Sequence, residues 1–287
     1  MKKWILFMST ATLAIGLSAC SETAEPASGD ETTKGEDSKL TVQEVYEKSV
    51  EASEDITSVH ADIVTDQTIA MQGDGMEMDM TVSSSMDMTI DPVAFYQKAE
   101  TSVVSEDIDN SNPMSMEMYF TEQGMYMYEE TMATWLKMPD ASIEDLKALA
   151  DQQTANPSQQ LEELAEFKDD FTFKQTEAEY ILTLDASGEK FNELMDQQLE
   201  KTLGQMELEA QMALEDMTIH AVNYVIYVDK ESFLTTGIDM KMDMDMNIED
   251  EMMNIKSDMQ ADYSRFNEIQ AITVPAEVVE QAQEIAG

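Results

Sequence analysis

Gly237-Ile-Asp-Met-Lys-Met-Asp-Met-Asp-Met-Asn-Ile248 is the stretch whose reading decides the fold. Ile238, Met240, Met242, Met244, Met246 and Ile248 fall on every second residue, and Asp239, Lys241, Asp243, Asp245 and Asn247 fill the places between them. A β-strand puts such residues on opposite faces, one apolar and one charged. Burying a Met side chain contributes roughly 1.5–3 kcal/mol, so four of them favour that facing by on the order of 6–12 kcal/mol over the flipped register, which would also bury aspartates. The same alternation recurs at Met76, Met78, Met80 and Val82, at Met86 and Met88, at Met114, Met116, Met118 and Phe120, and at Met125 and Met127. It predicts one large antiparallel sheet with a methionine-rich concave or core-facing side and an acidic outer side.

The N-terminus predicts where such a sheet works. Lys2 and Lys3 precede an apolar run from Trp4 to Leu17, followed by Leu17-Ser18-Ala19-Cys20. The run is too short and too near the terminus for an ordinary spanning helix. Its ending resembles the lipobox of bacterial lipoprotein signal peptides, in which the Cys thiol is acylated and becomes the first residue of the mature protein. Residues 1–19 are accordingly expected to be a signal peptide, and Cys20, the single cysteine, the lipidation site that anchors the chain to the outer face of the cell membrane. With one Cys there is neither a disulfide framework nor a thiolate metal site.

The 287 residues hold 60 acidic and 16 basic side chains, a formal charge of −44. Loss of residues 1–19 removes two lysines and no acid, which brings it to −46. Arg265 is the one guanidinium, so nucleic acid is excluded as a partner. The acidity reads as a solvated shell, with divalent cations as candidate partners of that surface. Carboxylates two strand positions apart are about 7 Å from one another and repel by a few tenths of a kcal/mol at physiological salt.

Residues 20–39, dominated by Ser, Glu, Thr, Gly, Asp and Pro, read as a disordered acidic tether, and residues 40–287 as a single β-rich domain. That domain opens with a helix whose N-cap is Thr41, with Glu44 as its capping-box partner. Strands are expected at Ser58–Ala70, Met76–Ile90, Ala94–Ser105, Met114–Thr121, Met125–Tyr128 and Thr134–Lys137, separated by turn sequences that include Asp109 to Pro113. Two short mid-chain helices, Ser142–Ala150 and Ser158–Phe167, precede a hairpin of Phe171–Thr176 and Tyr180–Asp185. A long amphipathic stretch then carries Phe191, Met195, Leu199, Leu203 and Met206, which either packs on the domain or covers an open sheet. Strands at Thr218–Val228, Phe233–Ile248 and Met252–Phe266 follow, and the tail passes Pro275 into a short helix.

Catalytic signatures are missing: His60 and His220 lie far apart, and no Gly-x-Ser-x-Gly, phosphate loop or His-Glu-x-x-His occurs. The chain is therefore read as not an enzyme, and no cofactor or metal ligand set is assigned. Methionine, present 26 times, carries the functional question. Thioethers are adaptable, polarisable surfaces for variable apolar partners. The reading adopted is a cavity for a lipid or other amphiphile lined by Met76, Met78, Met80, Met86, Met88, Met116, Met118, Met240, Met242, Met244 and Met246, with Phe191, Met195, Leu199, Leu203 and Met206 as its cover. Two alternatives stay open: a structural or envelope-stress lipoprotein whose Met face is simply core, and a Met-based Cu(I) binder.

The order of elements, with Val45–Ile56 leading into Ser58-Val59-His60-Ala61, then Met125-Tyr126-Met127-Tyr128, Trp135-Leu136-Lys137 and the closing Ile272-Thr273-Val274-Pro275, resembles the LolA-like lipoproteins. That group includes the mycobacterial LppX and LprG type, and the resemblance is closest to the uncharacterised Bacillota lipoproteins of that fold. It spans Leu40 to Ile285 and implies an α+β, β-dominated fold: an unclosed half-barrel with helices packed on its concave side around a hydrophobic cavity for acyl chains. It brings no catalytic motif. The Met and acid content departs from the family pattern, and an anchored N-terminus argues against a freely diffusing carrier.

Overall fold

A computed structural model describes residues 25–26, 39–71, 73, 75–105, 109–130, 133–139, 164, 167, 170–186, 217–248 and 251–284. The chain enters through a two-residue strand, β1 (Glu25–Pro26), and the helix α1 (Val42–Glu54). A first meander follows: β2 (Ser58–Met71), β3 (Glu77–Ile90), β4 (Val93–Ser105), β5 (Asp109–Thr121), β6 (Gly124–Glu129) and β7 (Thr134–Lys137). A second comprises β8 (Thr172–Gln175), β9 (Glu179–Asp185), β10 (Thr218–Asp229), β11 (Thr235–Ile248) and β12 (Glu251–Ser264). The short helix α2 (Ala276–Gln281) and β13 (Gln283–Glu284) end it.

All strands join one sheet in the order β1-β8-β9-β10-β11-β12-β2-β3-β4-β5-β6-β7-β13. Antiparallel pairing of β12 with β2 welds the two meanders together, from Ser264 opposite His60 to Met253 opposite Met71. The outermost strands are not neighbours, so the sheet is unclosed, and its long helix, α1, packs on one side of it. Both edges are blunt: β7 and β8 have four residues each, and each is capped by a parallel two-residue strand, which leaves little free ladder for another chain to extend.

The expected strands are present with small boundary shifts, apart from β5. Asp109 to Pro113 was read as turn sequence, but the strand already begins at Asp109. The ladder explains the difference: Thr101 faces Met114 and Val103 faces Asn110, so an irregularity in β5 absorbs the extra residues. Pro113, which cannot donate a ladder hydrogen bond, falls in it.

Register shows that a single face runs through the sheet. Along one row Met88 faces Val59 and Phe95, and Phe95 faces Phe120; on the other wing Ile238 faces Ile226 and Ala261, and Ile226 faces Leu182. α1 lies on this inner face. Its capping box forms as expected, with Glu44 N donating to Thr41 Oγ1 at 3.2 Å and Thr41 N donating to Glu44 Oε2 at 2.8 Å. Val45, Tyr46, Ser49 and Ser53 are its buried stripe. The two serines let helix and sheet approach closely, and their hydroxyls are used: Ser53 donates to Ser49 O at 2.7 Å, and Ser49 Oγ lies 3.2 Å from Thr235 Oγ1. Val59, Ala61, Leu182, Leu184, Val222, Ile226, Val228, Ile238 and Tyr263 complete this core with Phe171, Phe173, Leu164 and Phe167.

The opposite face is polar except at its β4–β7 end. There Tyr96 stacks on Tyr119 at 4.4 Å between ring centroids, and Trp135 contacts Tyr119 and Tyr128. α2 and the segment before it cover part of this strip, Val274 and Val278 packing on Tyr126. Partial burial and then the neighbouring Tyr96 push the Tyr119 hydroxyl up to about 12.

Candidate functional site: the methionine face and the groove behind it

Strand parity places the predicted Met set on the inner face. Met78, Met80, Met86 and Met88 alternate along β3, Met116 and Met118 along β5, and Met240 to Met246 along β11. The set divides by depth. Met86 and Met88 are 8% and 3% exposed and belong to the core under α1. Met240 and Met242 are half-buried against that core. Met78, Met80, Met244 and Met246 are half-buried beyond it, and Met76 is 46% exposed. Met116 and Met118, also half-buried, lie on the β5 wing, several strands away from β11.

Among the described residues the inner face therefore has a sealed end and an open end. Rows at the open end read Met242–Ser257–Gln67–Met80, then Met244–Ile255–Ile69–Met78, then Met246–Met253–Met71. Met71, Met253, Met259, Ile69 and Ile255 belong with the predicted residues, although they were not among them. The signal was available: β12 alternates Met253, Ile255, Ser257, Met259, Ala261, Tyr263, but its first pair, Met252-Met253, hides the phase. Phe191, Met195, Leu199, Leu203 and Met206, and also Cys20, lie outside the described residues.

A cavity of about 490 Å³ spans β10, β11, β12, β2 and β3. Most of its lining comes from two adjacent rows of the polar face: Asn223–Lys241–Asp258–Asp66–Thr81 and Ala221–Asp243–Lys256–Thr68–Asp79. Met80, Met242, Gln67 and Ser257, which also line it, form the row between, whose side chains alternate to the other side. The groove thus belongs to the charged face. Its ions largely satisfy one another: Lys241 Nζ is 2.6 Å from Asp258 Oδ2, Lys256 Nζ is 4.0 Å from Asp243 Oδ2, Thr81 donates to Asp66 at 2.6 Å and Thr68 to Asp79 at 2.8 Å. Lys241 is held above the usual lysine range by its hydrogen bond to Asp258. Alongside, Asn254 Nδ2 donates to Asp243 and Asp245, each at 2.9 Å, and His220 Nε2 lies 2.9 Å from Asp245 Oδ2. The Asn254 and His220 contacts hold the Asp245 carboxyl below its ordinary range.

His60 also faces out. Its Nδ1 is 2.6 Å from Asp87 Oδ1, which Arg265 Nη1 approaches at 3.3 Å. Ser264, His60 and Asp87 occupy one row across β12, β2 and β3, the residue types of a hydrolytic triad. The geometry is different: His60 Nε2 is turned to Asp62 Oδ2 at 3.3 Å, so the ring is clamped between two carboxylates instead of facing the hydroxyl as a base. Among the described residues no group of three or more His, Cys, Asp or Glu could hold a metal ion, and no helix is long and apolar enough to cross a membrane.

Comparison with solved structures finds distant likenesses. LprF from Mycobacterium bovis is 12% identical, with a TM-score of 0.38, over 82% of this chain and 97% of its own. A DUF1329 family protein from Desulfovibrio piger is 13% identical, with a TM-score of 0.24, over 80% and 95%. Lipovitellin, in a structure described by its lipid–protein interactions, is 8% identical, with a TM-score of 0.32, over 77% of this chain and 26% of its own. None of the curated proteins matches. The family model for the family of unknown function DUF6612 matches residues 41–283, from the N-cap of α1 to the first residue of β13, and the chain belongs to that family.

Proposed function

We propose that this chain is a membrane-anchored extracytoplasmic lipoprotein, acylated at Cys20, that takes a hydrophobic or amphiphilic, lipid-like ligand on its methionine face. The observation that carries the reading is the uneven covering of the inner face. α1 seals one end, while Met71, Met78, Met80, Met244, Met246 and Met253 stand half-exposed in adjoining rows at the other. A contiguous apolar patch of this kind on a protein so acidic marks an interaction surface. Thioether side chains, unbranched and polarisable, adapt to acyl chains of variable length, and the driving force is transfer of apolar surface out of water. Phe191, Met195, Leu199, Leu203 and Met206 belong to the same proposal as the ligand's outer cover. No reaction is assigned, and divalent cations are proposed as partners of the acidic face only.

The burial of Met86 and Met88 in the core supports a place for them beneath the ligand face and not in direct contact with the ligand. That burial is what the rival reading, a Met-rich structural interior, expects of these two residues.

The test is native mass spectrometry with lipid extraction on residues 21–287, which retain β1, purified from a membrane-containing host. Adducts at lipid mass are expected, and they are expected to survive conversion of Met240, Met242, Met244 and Met246 to Leu. Binding of Cu(I) that vanishes in that variant, without lipid adducts, would replace this reading with the copper one. A bare protein mass that ignores added phospholipid leaves only the structural reading.

A further inference from the structure

Each open edge of the sheet is closed by one end of the chain. β13 lies along β7, and β1 lies along β8 with Glu25 opposite Lys174 and Pro26 opposite Gln175, both in parallel. The second pairing fixes a direction. Because β1 is parallel to β8, the Glu25 end of β1 points the same way as the Thr172 end of β8. Thr172 faces Thr183 of β9, β9 ends at Asp185 opposite Asn223 of β10, and β10 runs back from there to Ile219, opposite Met244 of β11. The N-terminal end of β1 therefore points toward the end of the sheet that holds Met244 and Met246, away from α1. A twist of roughly 20–25° per strand over the three intervals from β8 to β11 turns this direction without reversing it.

We propose that β1 acts as a strap that holds the methionine end of β10, β11 and β12 against the bilayer, so that the open part of the inner face looks toward the membrane and α1 away from it. This rests on the reading of Cys20 as acylated. Four residues, and so five Cα–Cα steps, separate Cys20 from Glu25, so the β8 edge sits at most about 17 Å from the anchored residue. Without β1, the tether would run to α1, with an end-to-end distance of about 25 Å for some twenty flexible residues and no preferred orientation. Charge makes the strap necessary. The strand ends at the methionine end carry Glu77, Asp79 and Asp245, and an anionic leaflet repels such a surface within a Debye length. A slack tether would let the acidic domain withdraw, whereas a short one keeps the methionine rows where acyl chains can leave the bilayer for them. Pro26 suits the position, since on an edge strand its missing N–H removes a donor that a further strand could use.

The test uses the full-length acylated protein in phosphatidylcholine vesicles that contain a headgroup-nitroxide lipid. A fluorophore is placed on Met252→Cys, at the methionine end, or on Glu231→Cys, in the exposed turn beside α1's end of β11; acylation consumes the native thiol, so each label is unique. Several-fold stronger quenching at 252 than at 231 is expected, and insertion of about 15 Gly and Ser residues between Glu22 and Thr23 should erase the difference. Equal or reversed quenching on a protein whose mass shows acylation overturns this proposal alone, as does a difference that survives the insertion. An unacylated Cys20 overturns the anchoring reading and this proposal with it, while the lipid-adduct experiment on residues 21–287 stands independently of both.

Discussion

The two ends of the inner face are made from the same alternating strands and have different fates. At the α1 end, Val59, Leu182, Ile226 and Ile238 are closed off by Val45, Tyr46 and the aromatic side chains Phe171 and Phe173. At the methionine end, Met244 and Met246 of β11 and Met253 of β12 remain half-exposed, and Met76 and Met114 are 46% and 55% exposed. One end is a core, and the other is an apolar surface with the composition of a core. Alternation decides which face is apolar, but only the elements laid upon that face decide how much of it is dry. Methionine at the open end fits this division, since it tolerates both a ligand and its absence better than a branched side chain of fixed shape.

The sharpest way to break the comparison is truncation at each end. Ile226→Ala, at a site with no exposure, should cost about 2–5 kcal/mol in urea unfolding, because the cavity left behind adds to the lost transfer energy. Met246→Ala, half-exposed, should cost about 1 kcal/mol or less. Equal losses would mean that the methionine end is packed as tightly as the core, and the ligand face would disappear with that result.

Next in size is the seam between α1 and the sheet. Thr235 is fully buried, and its hydroxyl meets Ser49 at 3.2 Å. Thr235→Val leaves the Ser49 hydroxyl without this partner in an apolar setting and should cost about 1–3 kcal/mol. A neutral result would show that α1 is held by apolar contacts alone.

On the polar face, alkali sharpens the contrast. Partial burial, followed by the hydroxyl's bond to Asp239 at 3.0 Å, pushes Tyr227 up to about 12, and Tyr119 reaches the same value. Both hydroxyls titrate above the unfolded value of about 10, so their contribution is complete below pH 10 and is lost as pH rises toward 12. With both side chains only partly buried, solvent screening should hold it to about 1 kcal/mol or less each. Phenolate absorbance and circular dichroism followed together should change between pH 10 and 12; normal titration at pH 10 with the fold intact would contradict the environment described for both rings.

The smallest effect concerns like charges. Asp66 faces Asp258 directly across β2 and β12. Asp66→Asn should raise stability by a few tenths of a kcal/mol, and the melting temperature of the unaltered chain should rise with NaCl. A melting temperature independent of salt would show that the lysine, threonine and asparagine contacts already neutralise that face.

Much of this architecture was legible in the residues. The capping box at Thr41 and Glu44, the β7 boundaries and the facing of β11 follow from local chemistry and period two. Asp109 to Pro113 was misread because Asn and Pro mark turns in isolation, while a neighbouring strand can hold them as an irregularity within a ladder. The methionine set was legible as a face and illegible as a depth. Met86 and Met244 are each followed by Asp and then Met in the same alternation, and nothing near either states that α1 covers one and not the other. Met71 and Met253 were missed because their membership depends on the β12–β2 pairing, which joins residues far apart in the chain.

By itself the sequence determined the strand periods, the sorting of methionine from aspartate onto opposite faces and the start of α1, because each is a short-range preference worth several kcal/mol once summed over a strand. Tertiary structure alone decided that β12 lies beside β2, that Glu25 and Pro26 close the β8 edge, and that α1 seals half of the apolar face and leaves the methionine half open. Those outcomes depend on which distant surfaces meet, and the alternation of a strand is the same whatever comes to lie against it.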